Sequence, residues 1–329
     1  MSAAKILIIK LGALGDVIIA TPHIEQILRH HRGAAVWLLT APDYTGLFSA
    51  HPHLQVAAFP RKGLRPMFAA LRWLRQQRFD IIYDLQGSQR SALFSALSGA
   101  PQRVGLGSPR IYSQTVRDDD RSRHIFTRLA HLLEIAGIAP ADPRPQVSVS
   151  ATDEAQVQAW LREHRLAGRA FVLMHAGSSA GWPSKRWEDT HVRALADELH
   201  GRGLESLWVG GKQDAVLNAR LAAGGGIDAS CRFSIPQLSV LARHARFAVT
   251  TDSGPMHVFA TAGIPVYALF GPTDWRRSHA VGQAQRVLTH AVPCSPCHLR
   301  VCPPNRRHRC LSDLAPAQVL QRLQADGMI

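Results

Sequence analysis

The sequence predicts an α/β protein built from two doubly wound, Rossmann-like domains. Three observations carry this expectation. Short apolar runs recur along the chain, longer stretches at helical spacing separate them, and the pattern starts twice, at Lys5 and again at Ala170. Strands buried on both faces of a parallel sheet read as continuous apolar runs, and strand–helix alternation winds such a sheet.

In chain order, Lys5–Ile9 is the first strand, and glycines at 12 and 15 suit a tight exit turn into a helix at 22–31. Strands follow at 35–39 and 80–84, with helices at 66–77, 88–97 and 124–136. The Pro-rich run 139–145 breaks the pattern. A helix at 152–165 opens with Thr152-Asp153-Glu154, a cap-like start. The second half has strands at 170–175, 204–209, 247–251 and 265–270, and helices at 187–201, 214–223, 235–244 and 256–263. The boundary is placed between 145 and 168, giving domains 1–150 and 151–329, whose strand ends would face one cleft.

Of the 329 residues, 46% are hydrophobic and 19% charged, which is globular composition. No apolar run is long enough for a bilayer, and Lys10 and Asp16 interrupt the run from Ile6 to Ala20. The expected location is cytoplasmic. The formal charge of +14 calls for an anionic partner: nucleic acid, a membrane surface or a phosphorylated substrate. Much of it lies in the first half, at Arg61, Lys62, Arg65, Arg72, Arg75, Arg78, Arg90, Arg103, Arg110, Arg117, Arg121 and Arg123. No nucleic-acid recognition motif accompanies the charge, so no nucleic acid is expected.

Several strand exits carry polar residues suited to chemistry. In Leu11-Gly12-Ala13-Leu14-Gly15-Asp16-Val17, Asp16 reads equally well as a base for a hydroxyl proton and as a helix N-cap. His175-Ala176-Gly177-Ser178-Ser179 suits phosphate oxygens, and Lys185 suits a leaving diphosphate; alternatively Ser184 simply starts a helix on a surface loop. Asp214 follows the turn Gly210-Gly211, as a ribose ligand or as a cap. Asp252-Ser253-Gly254-Pro255-Met256-His257 joins an apolar strand to a helix start whose amides point where nucleotide phosphates sit. His257 alone reads as a structural histidine. Cys294, Cys297, Cys302 and Cys310 have C-x2-C-x4-C-x7-C spacing, which in a cytoplasmic protein favours structural zinc or iron over disulfides, with unliganded reduced thiols as the alternative.

Taken in order, Lys10–Val17 with Thr21-Pro22, Asp84-Leu85-Gln86-Gly87, Lys185-Arg186-Trp187, Asp252–His257 and Gly271-Pro272-Thr273-Asp274 resemble the ADP-heptose:lipopolysaccharide heptosyltransferases, glycosyltransferase family 9. The resemblance covers nearly the whole chain. It implies a GT-B fold whose closing helix, 315–325, crosses back to the first domain. It also implies inverting transfer of heptose from ADP-heptose to a sugar hydroxyl of the lipopolysaccharide inner core. Asp16 would be the base and Lys185 would meet the donor's phosphates. Gly177, Ser178, Ser179, Asp214, Asp252, Ser253, Gly254, Pro255, Met256 and His257 would hold the donor, with Asp214 on the ribose and Asp252 beside the sugar. Gly12, Ala13, Gly15, Arg61, Lys62, Arg65 and Gln86 would meet the acceptor, at a peripheral site on an anionic inner membrane face. No divalent metal would be obligatory. Gly12 and Ala13 stand where some relatives have two serines, which leaves the acceptor sugar open. A GT-B enzyme with another nucleotide sugar, an epimerase and a basic nucleic-acid-binding α/β protein are the alternative readings.

Overall fold

The structure, a computed structural model, describes residues 4–116 and 119–329; Arg117 lies outside them. The chain divides into two compact units, Met1–Ser148 and Val149–Ile329.

The first unit runs β1 (Lys5–Ile9), α1 (Leu14–His30), β2 (Ala35–Thr40), β3 (Gln55–Ala58), α2 (Leu64–Gln77), β4 (Ile81–Asp84), α3 (Gln89–Leu97), β5 (Gln102–Gly105) and α4 (Ile125–Ile135). All pairings are parallel, in the order β3-β2-β1-β4-β5. Alternate residues of each strand serve opposite faces. Leu7, Ile9, Leu39 and Ile82 join Ala70 and Leu74 of α2 and Phe94 of α3 in one core. On α1, Ile18, Ile19, Ile24 and Ile27 are buried, and α1 packs on α4. That helix starts eight residues before the expected 22 and runs through Pro22. Pro22 cannot donate to the Ile18 carbonyl, and the Thr21 hydroxyl takes that acceptor at 2.8 Å.

The second unit runs α5 (Ala151–Glu163), β6 (Phe171–His175), α6 (Asp189–His200), β7 (Glu205–Trp208), α7 (Ala215–Ala222), β8 (Ile227–Asp228), α8 (Ile235–His244), β9 (Ala248–Thr251), α9 (Gly254–Ala260), β10 (Val266–Phe270), α10 (Trp275–Ser278), β11 (Val287–Thr289), α11 (Arg309–Ser312) and α12 (Pro316–Ala325). Its sheet is also parallel, ordered β11-β10-β9-β6-β7-β8. Val172, Met174, Trp208, Val249 and Leu269 face one core with Val192, Leu195 and Leu199 of α6 and Leu311 of α11. Phe171, Leu173, Leu207, Ala248 and Phe270 face the other, with Val157 of α5, Leu241 of α8 and Phe259 of α9. The closing helix α12 buries Val319 and Leu323 in the first of these cores, beside α6. Among the described residues no helix is long and apolar enough to cross a membrane.

In each sheet the strand order reverses beside the unit's first strand, between β1 and β4 and between β6 and β9. Loops diverge at such a switch point and leave a crevice at the carboxyl ends of the strands. Gly12, Gly15 and Asp16 lie at the β1 exit, and Gly177, Asp252 and Ser253 lie at the exits of β6 and β9, with Lys185 against Asp252.

Candidate functional sites at two strand-end crevices

At the first crevice the β1 exit is held from β4. The Gln86 side-chain oxygen accepts from the Leu11 amide at 2.8 Å and the Gly12 amide at 3.1 Å. Lys10 is buried and donates to the Leu85 carbonyl at 2.8 Å. Burial pushes its ammonium below the usual lysine range, and the carboxylates of Asp16 and Asp84 oppose that shift. Asp84 is equally buried, which pushes its carboxyl up; Tyr112 O–H at 2.6 Å and the Gln86 and Gly87 amides at 2.9 and 3.1 Å pull the other way. Gly12 sits at φ +129°, and a Cβ there would lie 2.6 Å from Tyr44 Cε2 and 2.9 Å from Arg61 Nη1. Arg61 in turn lies over the Tyr44 ring, 5.8 Å from its centre.

Gly12, Arg61 and Gln86 are thus brought together, while Lys62 and Arg65 are exposed at the entry to α2. The oxygen of Gln86 braces the turn. Ala13 is the N-cap of α1 and makes no side-chain capping bond; Gly15 and Asp16 lie in the first helical turn. The cap alternative for Asp16 is therefore not realised. Its half-buried carboxylate is held in the field of Lys10.

At the second crevice Lys185 ends a short 3-10 turn, Pro183–Lys185, and its ammonium lies 2.7 Å from Asp252 Oδ2 at the β9 exit. Thr273, beyond β10, donates its hydroxyl to the same carboxylate oxygen. The side chains of Lys185 and Asp252 are 18% and 8% exposed, so the pair is mostly desolvated with the ammonium at the rim. The Trp182 ring lies 4.9 Å from Lys185 Nζ, and Arg300 stacks on the same ring. Ser253 begins the next turn, its hydroxyl 3.1 Å from His175 Nδ1 at the end of β6. Gly177, Ser178 and Ser179 follow His175. Ser178 is buried and donates to the Trp182 carbonyl at 2.8 Å, bracing the loop, while Ser179 is exposed.

Three donor-side expectations change in detail. Asp214 does not present its carboxylate: it is 1% exposed, accepts from the Gly211 amide at 3.0 Å and faces His175 Nε2 at 3.7 Å. A Cβ on Gly177 would fall 1.9 Å from Asp214 Oδ1, so the β6 exit fits only as glycine over this carboxylate. Its place is behind the loop. Met256 and His257 are buried in α9, so that turn offers Gly254, Pro255 and backbone rather than those side chains.

The cysteine segment braces this crevice. Ser184, beside Lys185, donates its hydroxyl to the Leu299 carbonyl at 2.6 Å and its amide to the Arg300 carbonyl, while His308 Nε2 meets the Ser184 carbonyl at 2.6 Å. Cys294, Cys297, Cys302 and Cys310 ring one small cavity. Burial first, and then the other three thiols, push Cys310 up to about 11, which is a protonated thiol at neutral pH. Among the described residues no three His, Cys, Asp or Glu side chains are arranged to hold a metal ion. The four thiols converge, but not in a ligating arrangement.

Sequence reasoning placed Lys10, His175 and Thr273 inside its motifs without giving their side chains a part, and it missed Tyr112. Lys10 did leave a signal, as the lone charge in an otherwise apolar strand exit.

A profile of glycosyltransferase family 9 (heptosyltransferase) matches residues 67–308. Lipopolysaccharide heptosyltransferase 1 of Pseudomonas aeruginosa is 26% identical over 340 residues, covering 96% of this chain and 93% of the relative. Among solved structures, a glycosyl transferase family 9 protein from Veillonella parvula superposes with a TM-score of 0.83 at 20% identity, over 98% of this chain and 96% of that one. Escherichia coli ADP-heptose LPS heptosyltransferase II gives 0.76 at 22% identity, over 98% of both. These likenesses establish a GT-B architecture of two parallel-sheet domains. The profile covers well over half of the sequence, and the chain belongs to glycosyltransferase family 9, the heptosyltransferases.

Proposed function

We propose that the protein transfers a heptose from ADP-heptose to a sugar hydroxyl of the lipopolysaccharide inner core, with inversion. The observation that carries this reading is the Lys185–Asp252–Thr273 cluster at the β9 and β10 exits, in a family member whose relatives include a lipopolysaccharide heptosyltransferase matched end to end. Asp16 takes the proton from the acceptor hydroxyl as its oxygen attacks the anomeric carbon. The bond from that carbon to the diphosphate breaks, and its electron pair leaves on ADP. Lys185 and the amides of the Ser253–His257 turn offset the charge that develops there. Asp252 stands beside the donor sugar and aims Lys185, with Gly177 and Ser179 at the phosphates. Asp214 acts through His175 and the Gly177 loop, in place of a direct ribose contact. Gly12, Ala13, Gly15, Arg61, Lys62 and Arg65 meet the acceptor, whose phosphates and acidic sugars suit guanidinium forks.

The protein works in the cytoplasm, at the periphery of an anionic membrane face. A cation and oriented amides supply the leaving-group charge, so no divalent metal is obligatory, and ADP release persists in chelator; abolition by chelation contradicts this. Any zinc or iron on the four cysteines is structural, and drawing the thiols inward to hold it would brace the Lys185 turn. Elemental analysis of protein purified without added metal decides the point, one equivalent supporting the ion and none removing it. The transfer itself is tested by incubating ADP-heptose with a panel of truncated core acceptors and reading product mass. One added heptose with equal ADP supports the reading; ADP release without an acceptor product contradicts it.

A further inference from the structure

The first unit carries a surface that the transfer chemistry does not use. The helix α2 has two apolar stripes. Met67, Ala70, Leu71, Trp73 and Leu74 face the core, but Leu64 and Phe68 face solvent at 69% and 63% exposure. On α3, which packs beside it, Leu93 and Leu97 are also exposed. Arg75 Nε donates to the Leu97 carbonyl at 3.0 Å and ties the two helices into one face. Phe68, Arg72, Arg75, Arg78 and Leu97 line a shallow depression of about 760 Å³ there.

The charge on this face has one sign. Between Asp43 and Asp80 the sequence holds Arg61, Lys62, Arg65, Arg72, Arg75 and Arg78 with no Asp or Glu, and between Asp84 and Asp118 it again holds none. Among the described residues no carboxylate lies within ion-pair distance of Arg65, Arg72, Arg75 or Arg78. Exposed apolar side chains ringed by guanidinium groups that have no carboxylate partner among the described residues match an anionic lipid surface. The apolar groups enter the acyl boundary, and the long basic chains reach up to phosphate. A polynucleotide would meet the arginines but leave Leu64, Phe68, Leu93 and Leu97 in water.

We propose that the exposed face of α2 and α3 docks the protein on a bilayer containing anionic phospholipid, inserting Leu64, Phe68 and Leu97 among headgroups held by Arg72, Arg75 and Arg78. The proposal rests on the peripheral-membrane part of the function above and gives it a surface. It is independent of which sugar is transferred.

The test is co-sedimentation of the full chain with phosphatidylcholine vesicles, with and without phosphatidylglycerol. Binding is expected only with phosphatidylglycerol and weakens with salt. Each basic residue near such a surface is worth about fivefold in affinity, so Arg72→Ala loses about that factor. Phe68→Ser loses about tenfold or more, since a phenyl ring no longer leaves water. Phe68 lies largely in solvent, so the variant keeps its fold, and ADP release on a soluble truncated acceptor stays at the wild-type rate. Equal sedimentation with neutral vesicles, or variants that bind like wild type, overturns the proposal. So does capture of the wild type by polynucleotide but not by vesicles. Failure of the transferase reading shows separately, as wild-type protein that releases no ADP with soluble acceptor whatever its vesicle binding.

Discussion

Replacing Lys185 with methionine separates a catalytic cation from a structural one. The ammonium lies 2.7 Å from Asp252 Oδ2, and the Asp252 side chain is only 8% exposed. Removing one member of a fully buried pair costs about 3–5 kcal/mol, because the other charge is left without its partner. Here Lys185 keeps some solvent and the Thr273 hydroxyl still donates to Asp252, which lowers the expected cost to about 2 kcal/mol. For a unit of this size that is a fall in Tm of about 4–8 °C. If Lys185 also neutralises the departing diphosphate, turnover falls about 100- to 1000-fold, the range for losing one oriented charge stabiliser. The two effects come apart in the pair Lys185→Met with Asp252→Asn. Removing both charges recovers much of the lost stability but none of the turnover. Thermal unfolding and an ADP-release assay read both. A Lys185→Met protein that melts early but releases ADP near the wild-type rate refutes the catalytic role and leaves a structural ion pair.

Two further outcomes test the first unit. Gly12→Ala places a methyl group against Tyr44 and Arg61 at a positive φ, so it should cost about 1–3 kcal/mol and slow transfer while ADP affinity is unchanged. His23, packed on Phe126, is pushed down to about 4 by burial. The unfolded chain takes up that proton first as pH falls, so the full stability is present above about pH 6.5 and is lost towards pH 4. The loss is about 3 kcal/mol, and His23→Leu should flatten that part of the acid unfolding curve.

The central strands were legible because burial on both faces writes them as apolar runs: Ile6 to Ile9, Val172 to Met174 and Val266 to Phe270 are all buried. The four strands that were missed, Gln55–Ala58, Gln102–Gly105, Ile227–Asp228 and Val287–Thr289, are the edges of the two sheets. Each is short and partly exposed, so packing does not demand an apolar run there. Helix starts moved by a few residues where the cap lay upstream. Ser150, not Thr152, opens α5, through a reciprocal pair of bonds with Asp153. At the sites, glycine and carboxylate positions could be read from the sequence, but not which carboxylates face solvent. Asp214 and Asp252 read alike as acids after a strand, yet one is sealed behind Gly177 and the other pairs with Lys185 at the rim. That difference comes from residues far apart in the chain, His175 for one and Thr273 for the other.

In the proposed reaction a carboxylate serves the acceptor and a polarised crevice serves the nucleotide. Asp16→Ala tests that division most directly, with ADP affinity and acceptor-dependent ADP release measured on the same preparation. The expected result is wild-type affinity for ADP with transfer reduced by about 100-fold or more, the scale of a lost general base. Transfer near the wild-type rate, or ADP affinity lost together with transfer, contradicts it.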